Sequence, residues 1–196
     1  MPLNRHYFIS IIVVVSVVGS LSLFGCSKGG GNGIHVKSAA TGDKEVVVKS
    51  SYSYPVTKSF TDINQKITTA VLYNVYAANY DLDAGNFAMT LDKPLASEDQ
   101  MRIVFSLVGE EGTKDPEPLK TGTYSAKADK HMKVETVGIV TRKGSTDTKN
   151  WFDRSSLTGQ VNITSVKDDS FSGDIDVTAG ENTIKGSFTA KILKRK

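Results

Sequence analysis

The sequence predicts an all-β domain, and three observations in its last third carry the prediction. Phe171, Gly173, Ile175 and Val177 alternate with Ser172, Asp174, Asp176 and Thr178, and Ile184, Gly186, Phe188, Ala190 and Ile192 alternate with Lys185, Ser187, Thr189 and Lys191. A period of two puts apolar residues on one face and polar residues on the other, which is the pattern of a half-buried strand. The connectors Lys167-Asp168-Asp169-Ser170 and Ala179-Gly180-Glu181-Asn182 are short and rich in turn formers, so these strands are antiparallel neighbours in a meander. Gly173 and Gly186 fall on the inward face, where glycine marks a bend or a close approach of backbones, as a strongly curling sheet requires. The expectation is a single antiparallel meander barrel or a strongly curled β-sandwich of about eight to ten strands.

The chain starts differently. Arg5 and His6 form a small basic region, no acidic residue precedes Asp43, and Phe8 to Val18 is almost wholly apolar. A short apolar core after a positive start, followed by small residues, is the pattern of a secretory signal. Counted to Phe24, the stretch approaches the roughly 20 residues of a spanning helix, so an uncleaved anchor is the alternative. Leu23-Phe24-Gly25-Cys26 closes the run, and Cys26 is the only cysteine.

This ending resembles the lipobox of bacterial lipoprotein signal peptides, with Leu23 three positions before Cys26 and the small Gly25 directly before it; Phe24 is bulkier than the usual residue. The resemblance covers about the first 27 residues. It implies a diacylglycerol thioether on Cys26, cleavage before it and acylation of the new amino terminus, that is, a membrane anchor through acyl chains such as palmitate. Ser27, in place of Asp, implies an outer-membrane destination in the bacterial cell envelope. Each buried methylene contributes about 0.8 kcal/mol, so two or three acyl chains hold a small domain durably on a bilayer. Gly25-Cys26-Ser27-Lys28-Gly29 spells the G-x-S-x-G of a hydrolase elbow, but that motif needs a strand before it and a helix after it, whereas here cleavage would cut it and glycines follow.

The sequence thus divides into a signal peptide at 1–25, a flexible tether at 26–43 and an all-β domain at 44–196. Ser27-Lys28-Gly29-Gly30-Gly31-Asn32-Gly33 cannot bury a core, and glycine-rich chain behaves as a flexible coil; His35 is read as solvated within it. The domain is long enough for one core without disulfides. Within it, Glu45 to Val48, Tyr52 to Tyr54, Phe87 to Leu91, Met101 to Val108 and Met132 to Val140 read as strands. Ile67 to Tyr80 fits a helical stripe at Ile67, Ala70, Val71, Asn74, Val75 and Ala78, but its Thr, Val and Tyr content favours strand. Loops are read at Leu82 to Asn86, Asp92 to Asp99, Glu110 to Gly122 and Arg142 to Asn150.

The formal net charge of +3, which falls by one when Arg5 leaves with the signal, gives no nucleic-acid footprint, since that needs Lys and Arg clustered on one face. The basic end, Lys191, Lys194, Arg195 and Lys196, reads as a solvated strand end or a contact for anionic head groups. Histidine is too scarce for a zinc site or a triad: beyond the signal only His35 and His131 remain. Asp81, Asp83 and Asp92 resemble a calcium loop in spacing, but Gly85 supplies no ligand oxygen and Asn86 stands where that loop needs glycine. Tyr76, Tyr80, Trp151 and Phe152 are the candidate interaction residues, within an aromatic group that also includes Tyr73, Phe87 and Tyr124 and that either lines a site or packs the barrel. The expectation is a non-enzymatic binding or interaction protein of the envelope, without cofactors, whose partner is an envelope protein. The alternative is a carrier of a small apolar ligand: the meander from about Gly159 to Leu193 resembles parts of small calycin or lipocalin-like lipoproteins, a resemblance that carries no binding residues over.

Overall fold

A computed structural model describes residues 33–85 and 91–193. The signal peptide with Cys26, most of the strand expected at 87–91, and Lys194 to Lys196 lie outside the described residues. The chain divides into two units, Met1–Gly30 and Gly31–Lys196. The described strands are β1 (Gly33–Ser38), β2 (Gly42–Val47), β3 (Ser50–Thr61), β4 (Ile67–Ala78), β5 (Met101–Val108), β6 (Gly122–Ser125), β7 (Lys133–Lys143), β8 (Thr146–Trp151), β9 (Leu157–Lys167), β10 (Ser170–Ala179) and β11 (Asn182–Ile192).

Eight of them close a barrel in the order β3-β4-β5-β7-β6-β9-β10-β11 and back to β3. The predicted meander is its C-terminal part: β9 pairs β10 and β10 pairs β11, all antiparallel. A bulge where Ser172 faces Ser165 and Gly173 faces Ile163 shifts the alternation, so Val166 packs on the core. The inward glycines act as expected. A methyl on Gly173 would come 2.4 Å from the Asn162 carbonyl oxygen, and one on Gly186, whose φ is +154°, would come 2.2 Å from that of Gly33. Two joints of the ring are parallel and short. β11 meets β3 only at Lys191↔Tyr52 and Ile192↔Ser53, and β6 meets β7 only at Ser125↔Lys133. The β1–β2 hairpin extends the sheet from β11, and β8 extends it from β7.

Large side chains fill the lumen. Phe188 meets Phe105 edge-on at 5.0 Å between centroids and Phe171 at 6.1 Å, while Tyr73 meets Phe171 at 5.5 Å. Edge-to-face packing brings the positive rim of one ring to the negative face of the next. Tyr73 and Tyr124, with relative exposures of 1% and 0%, donate their phenols to the carbonyls of Glu117 and Lys120 at 3.2 and 3.0 Å. This pins the expected 110–122 loop over one end, and Leu119 from that loop joins the core.

The ambiguous stretch is strand β4. Val71, Tyr73, Val75 and Ala77 face the lumen, while Tyr76 and Ala78 face a second core outside the barrel, roofed by Leu82, Leu91 and Leu95. Burial on both faces erases the alternation and imitates a helical stripe. Three expectations are corrected. The tether does not run to residue 43, because Ile34 and Val36 on β1 are fully buried; two apolar residues among glycines are too short a run to stand out. His35 is exposed, as expected of a solvated residue, but it sits on the wet face of that strand rather than in a tether, 2.9 Å from Asp43 and 3.5 Å from Glu45. The stretch 142–150 is not a loop but the β7–β8 hairpin, whose polar composition suits an outermost strand.

Candidate functional site

The outer wall of β4, β5, β7 and β8 carries the site. Gly138 on β7 pairs with Trp151 on β8, and the indole lies flat over the glycine: a methyl there would be 2.5 Å from Cε3 and 2.9 Å from Cζ3. Trp151 remains 55% exposed, so one ring face rests on the backbone and the other meets solvent. Beside it, Thr136, Ser106 and Asn74 form a row across three strands. Thr136 Oγ1 donates to Ser106 Oγ at 2.9 Å, and Ser106 Oγ donates to Asn74 Oδ1 at 2.9 Å. The chain of bonds occupies the Asn74 oxygen and leaves its Nδ2 donors for another acceptor. Next along the wall, Glu135 accepts from Lys58 Nζ at 2.6 Å and from Arg154 Nη2 at 2.7 Å.

The sequence-predicted aromatics separate. Phe152 follows Trp151 but points the other way: its N–H donates to the Val137 carbonyl at 2.9 Å and its ring is in the lumen core. Tyr76 is 5% exposed, stacked on Tyr54 at 6.0 Å and 22°. Burial raises its phenol well above the ordinary value, with the Tyr54 hydroxyl, 3.4 Å away, adding to the shift. Tyr80 is half-buried and accepts from Arg102 Nη1 at 3.1 Å; burial raises its pKa against the opposing pull of Arg102. Phe152 and Tyr76 are therefore packing residues. Of the predicted interaction residues, Trp151 is the one on an exposed wall.

The carboxylates with calcium-like spacing do not converge. Asp81 pairs with Lys49 at 2.8 Å and Asp83 with Lys93 at 2.5 Å, while Asp92 stands 3.6 Å from Arg102 and 3.8 Å from Lys149. The Lys93 ammonium, together with the Gly85 N–H, holds Asp83 below the usual carboxylate range. Among the described residues no group of acidic, histidine or cysteine side chains is arranged to hold a metal.

A second feature follows from the short seam. At the end of β11, where the Leu193 N–H donates to the Ser53 carbonyl at 2.7 Å, the described residues frame a cleft of about 800 Å³ lined by Pro55, Tyr73, Pro116, Pro118, Val166 and Leu193. Proline has no N–H and suits a strand edge without a partner, and Pro55 was the one sequence signal for this opening. Asp115, Lys167 and Asp168 also line it. Burial, with the Asp115 carboxylate adding, pushes the Tyr73 phenol up to about 12. The sequence reading missed Gly138, Asn74, Ser106 and Thr136: a strand-interior glycine facing outward was the available sign, but its partner is 13 residues away.

No protein-family model, curated protein or solved structure matches the chain.

Proposed function

We propose that this chain is a lipoprotein of the bacterial cell envelope, anchored at the outer membrane through Cys26, that acts by binding a partner on the outer wall of its barrel rather than by catalysis. One observation carries the reading. The chain's single tryptophan is held flat on the sheet with its far face in solvent, while the lumen is taken up by Phe105, Phe171 and Phe188. A filled barrel is a rigid platform, and an exposed, immobilised indole supplies binding area at little cost in side-chain entropy. Six residues lie between Cys26 and Gly33, where β1 starts, and the seven Cα–Cα steps of fully extended chain span at most about 25 Å. This tether keeps the partner close to the membrane.

Two measurements test it. Cys26→Ser is expected to release the protein from the membrane fraction and abolish the lipid mass increment; an unchanged distribution rejects the anchor. A photo-crosslinking residue at Trp151 is expected to capture an envelope component, and absence of any adduct there rejects the wall as the binding surface.

The cleft at the β3–β11 seam supports a second reading, a carrier of a small apolar ligand held outside the lumen. Native mass spectrometry of the full chain is expected in that case to show an adduct that Val166→Arg removes; a bare mass rejects it.

A further inference from the structure

We infer that the wall around Trp151 is a saccharide site, one that takes an oligosaccharide of equatorial pyranoses. The inference rests on the reading of that wall as the binding surface and names what it binds. The C–H groups on one face of such a sugar ring carry slight positive charge and form a flat apolar surface, which matches the negative face of an indole. Water lies over that face in the free protein, and stacking removes apolar area from it on both sides. Trp151 cannot turn to bury itself in the sheet because its other face already rests on Gly138, where no side chain intervenes.

Stacking alone would accept any flat apolar group, and the polar row beside it selects hydroxyls. Thr136 is two residues from Gly138 on the same strand and the same face, a displacement of about 6.6 Å at the rise of a β-strand, so it lies beside a sugar stacked on the indole rather than under it. Thr136 is exposed, and its hydroxyl proton is committed to Ser106, which leaves the oxygen free to accept. Asn74, with its oxygen committed to Ser106, presents donors. A sugar hydroxyl both donates and accepts, and the row offers one group of each kind with orientations set in advance by the bonds beneath. Arg154, 59% exposed at the side chain and tied to Glu135, closes the row with further guanidinium donors.

The full chain in phosphocholine micelles, titrated with the tetrasaccharides of β-1,4-linked glucose and of β-1,4-linked N-acetylglucosamine, tests the inference directly, because Trp151 is the only source of tryptophan fluorescence. The expected result is a saturable change in emission with at least one of the two sugars, matched by calorimetry. Asn74→Ala and Thr136→Val should each weaken binding by about tenfold; Thr136 is exposed, so its variant keeps the test open if the other folds poorly. Trp151→Ala should abolish the calorimetric signal. No emission change with either sugar overturns the inference, as does binding that Trp151→Ala leaves intact. If the sugars fail while the crosslinker at Trp151 captures a protein, the saccharide assignment falls and the binding wall stands; if both fail, the wall falls as well.

Discussion

Trp151 and Gly138 face each other across the β7–β8 pair, and the indole occupies the space a side chain at 138 would need. Glycine in a strand interior ordinarily weakens the strand. Here the ring covers the bare backbone and replaces the missing side chain. Gly138→Ala is therefore expected to destabilise the domain by about 1–3 kcal/mol, since Trp151 must lift off. A red shift of tryptophan emission together with a lower unfolding temperature checks this; an unshifted spectrum would show that the ring had not moved.

Phe188 is the hub of the lumen, in edge contact with both Phe105 and Phe171. Truncation of a large core aromatic loses transfer free energy and leaves a cavity, together about 3–5 kcal/mol. Phe188→Ala is expected to lose that amount in denaturant unfolding. Phe60→Ala, at a half-buried position near the tip of the β3–β4 hairpin, should lose much less.

Alkaline titration separates the tyrosines by burial. Tyr73 has a folded-state pKa of about 12 against an ordinary 10, and burial also raises Tyr76 and Tyr124. The fold favours the protonated phenol in each. The stability this gives is complete below pH 10 and is lost as pH rises from 10 through about 12, because the unfolded chain ionises first. Tyrosinate absorbance from these buried phenols is expected to appear together with loss of the β signal in circular dichroism. Full tyrosinate absorbance with the β signal intact near pH 10 would contradict the burial.

Glu135 joins Lys58 on β3 to Arg154 beyond β8. Glu135→Gln keeps the shape and removes the charge that both cations face. Because Arg154 is more than half exposed and Lys58 partly so, the expected loss is about 1–2 kcal/mol, below the figure for a fully buried pair. The difference between variant and parent should shrink at high salt, which a chemical denaturation series at two ionic strengths would show.

Much of the fold was legible because strand alternation is local. Residues two apart share a face, so β10 and β11 announce themselves and their short turns make them neighbours. Legibility weakened where a strand is covered on both sides, as β4 is, although Met101 to Val108, covered likewise, still read as β5; it failed where a strand is too short or too polar to stand out, as β1 and β8 are. The candidate site was half legible. Trp151 was visible as an aromatic after a polar run, but its neighbour Phe152 carried the same signal and points into the core.

The sequence by itself determined the all-β class, the C-terminal meander and the inward glycines that let it curl, because each depends only on residues near one another along the chain. The tertiary structure decided the rest: closure through two short parallel joints, the cleft at the end of β11 beside Pro55, and the wall on which Trp151, Thr136 and Asn74 meet. The physical reason is range. Which face of a strand becomes wet, and which hydroxyl finds which amide, depends on cross-strand register between segments far apart in the chain, and register is set only when the whole ring packs around its core.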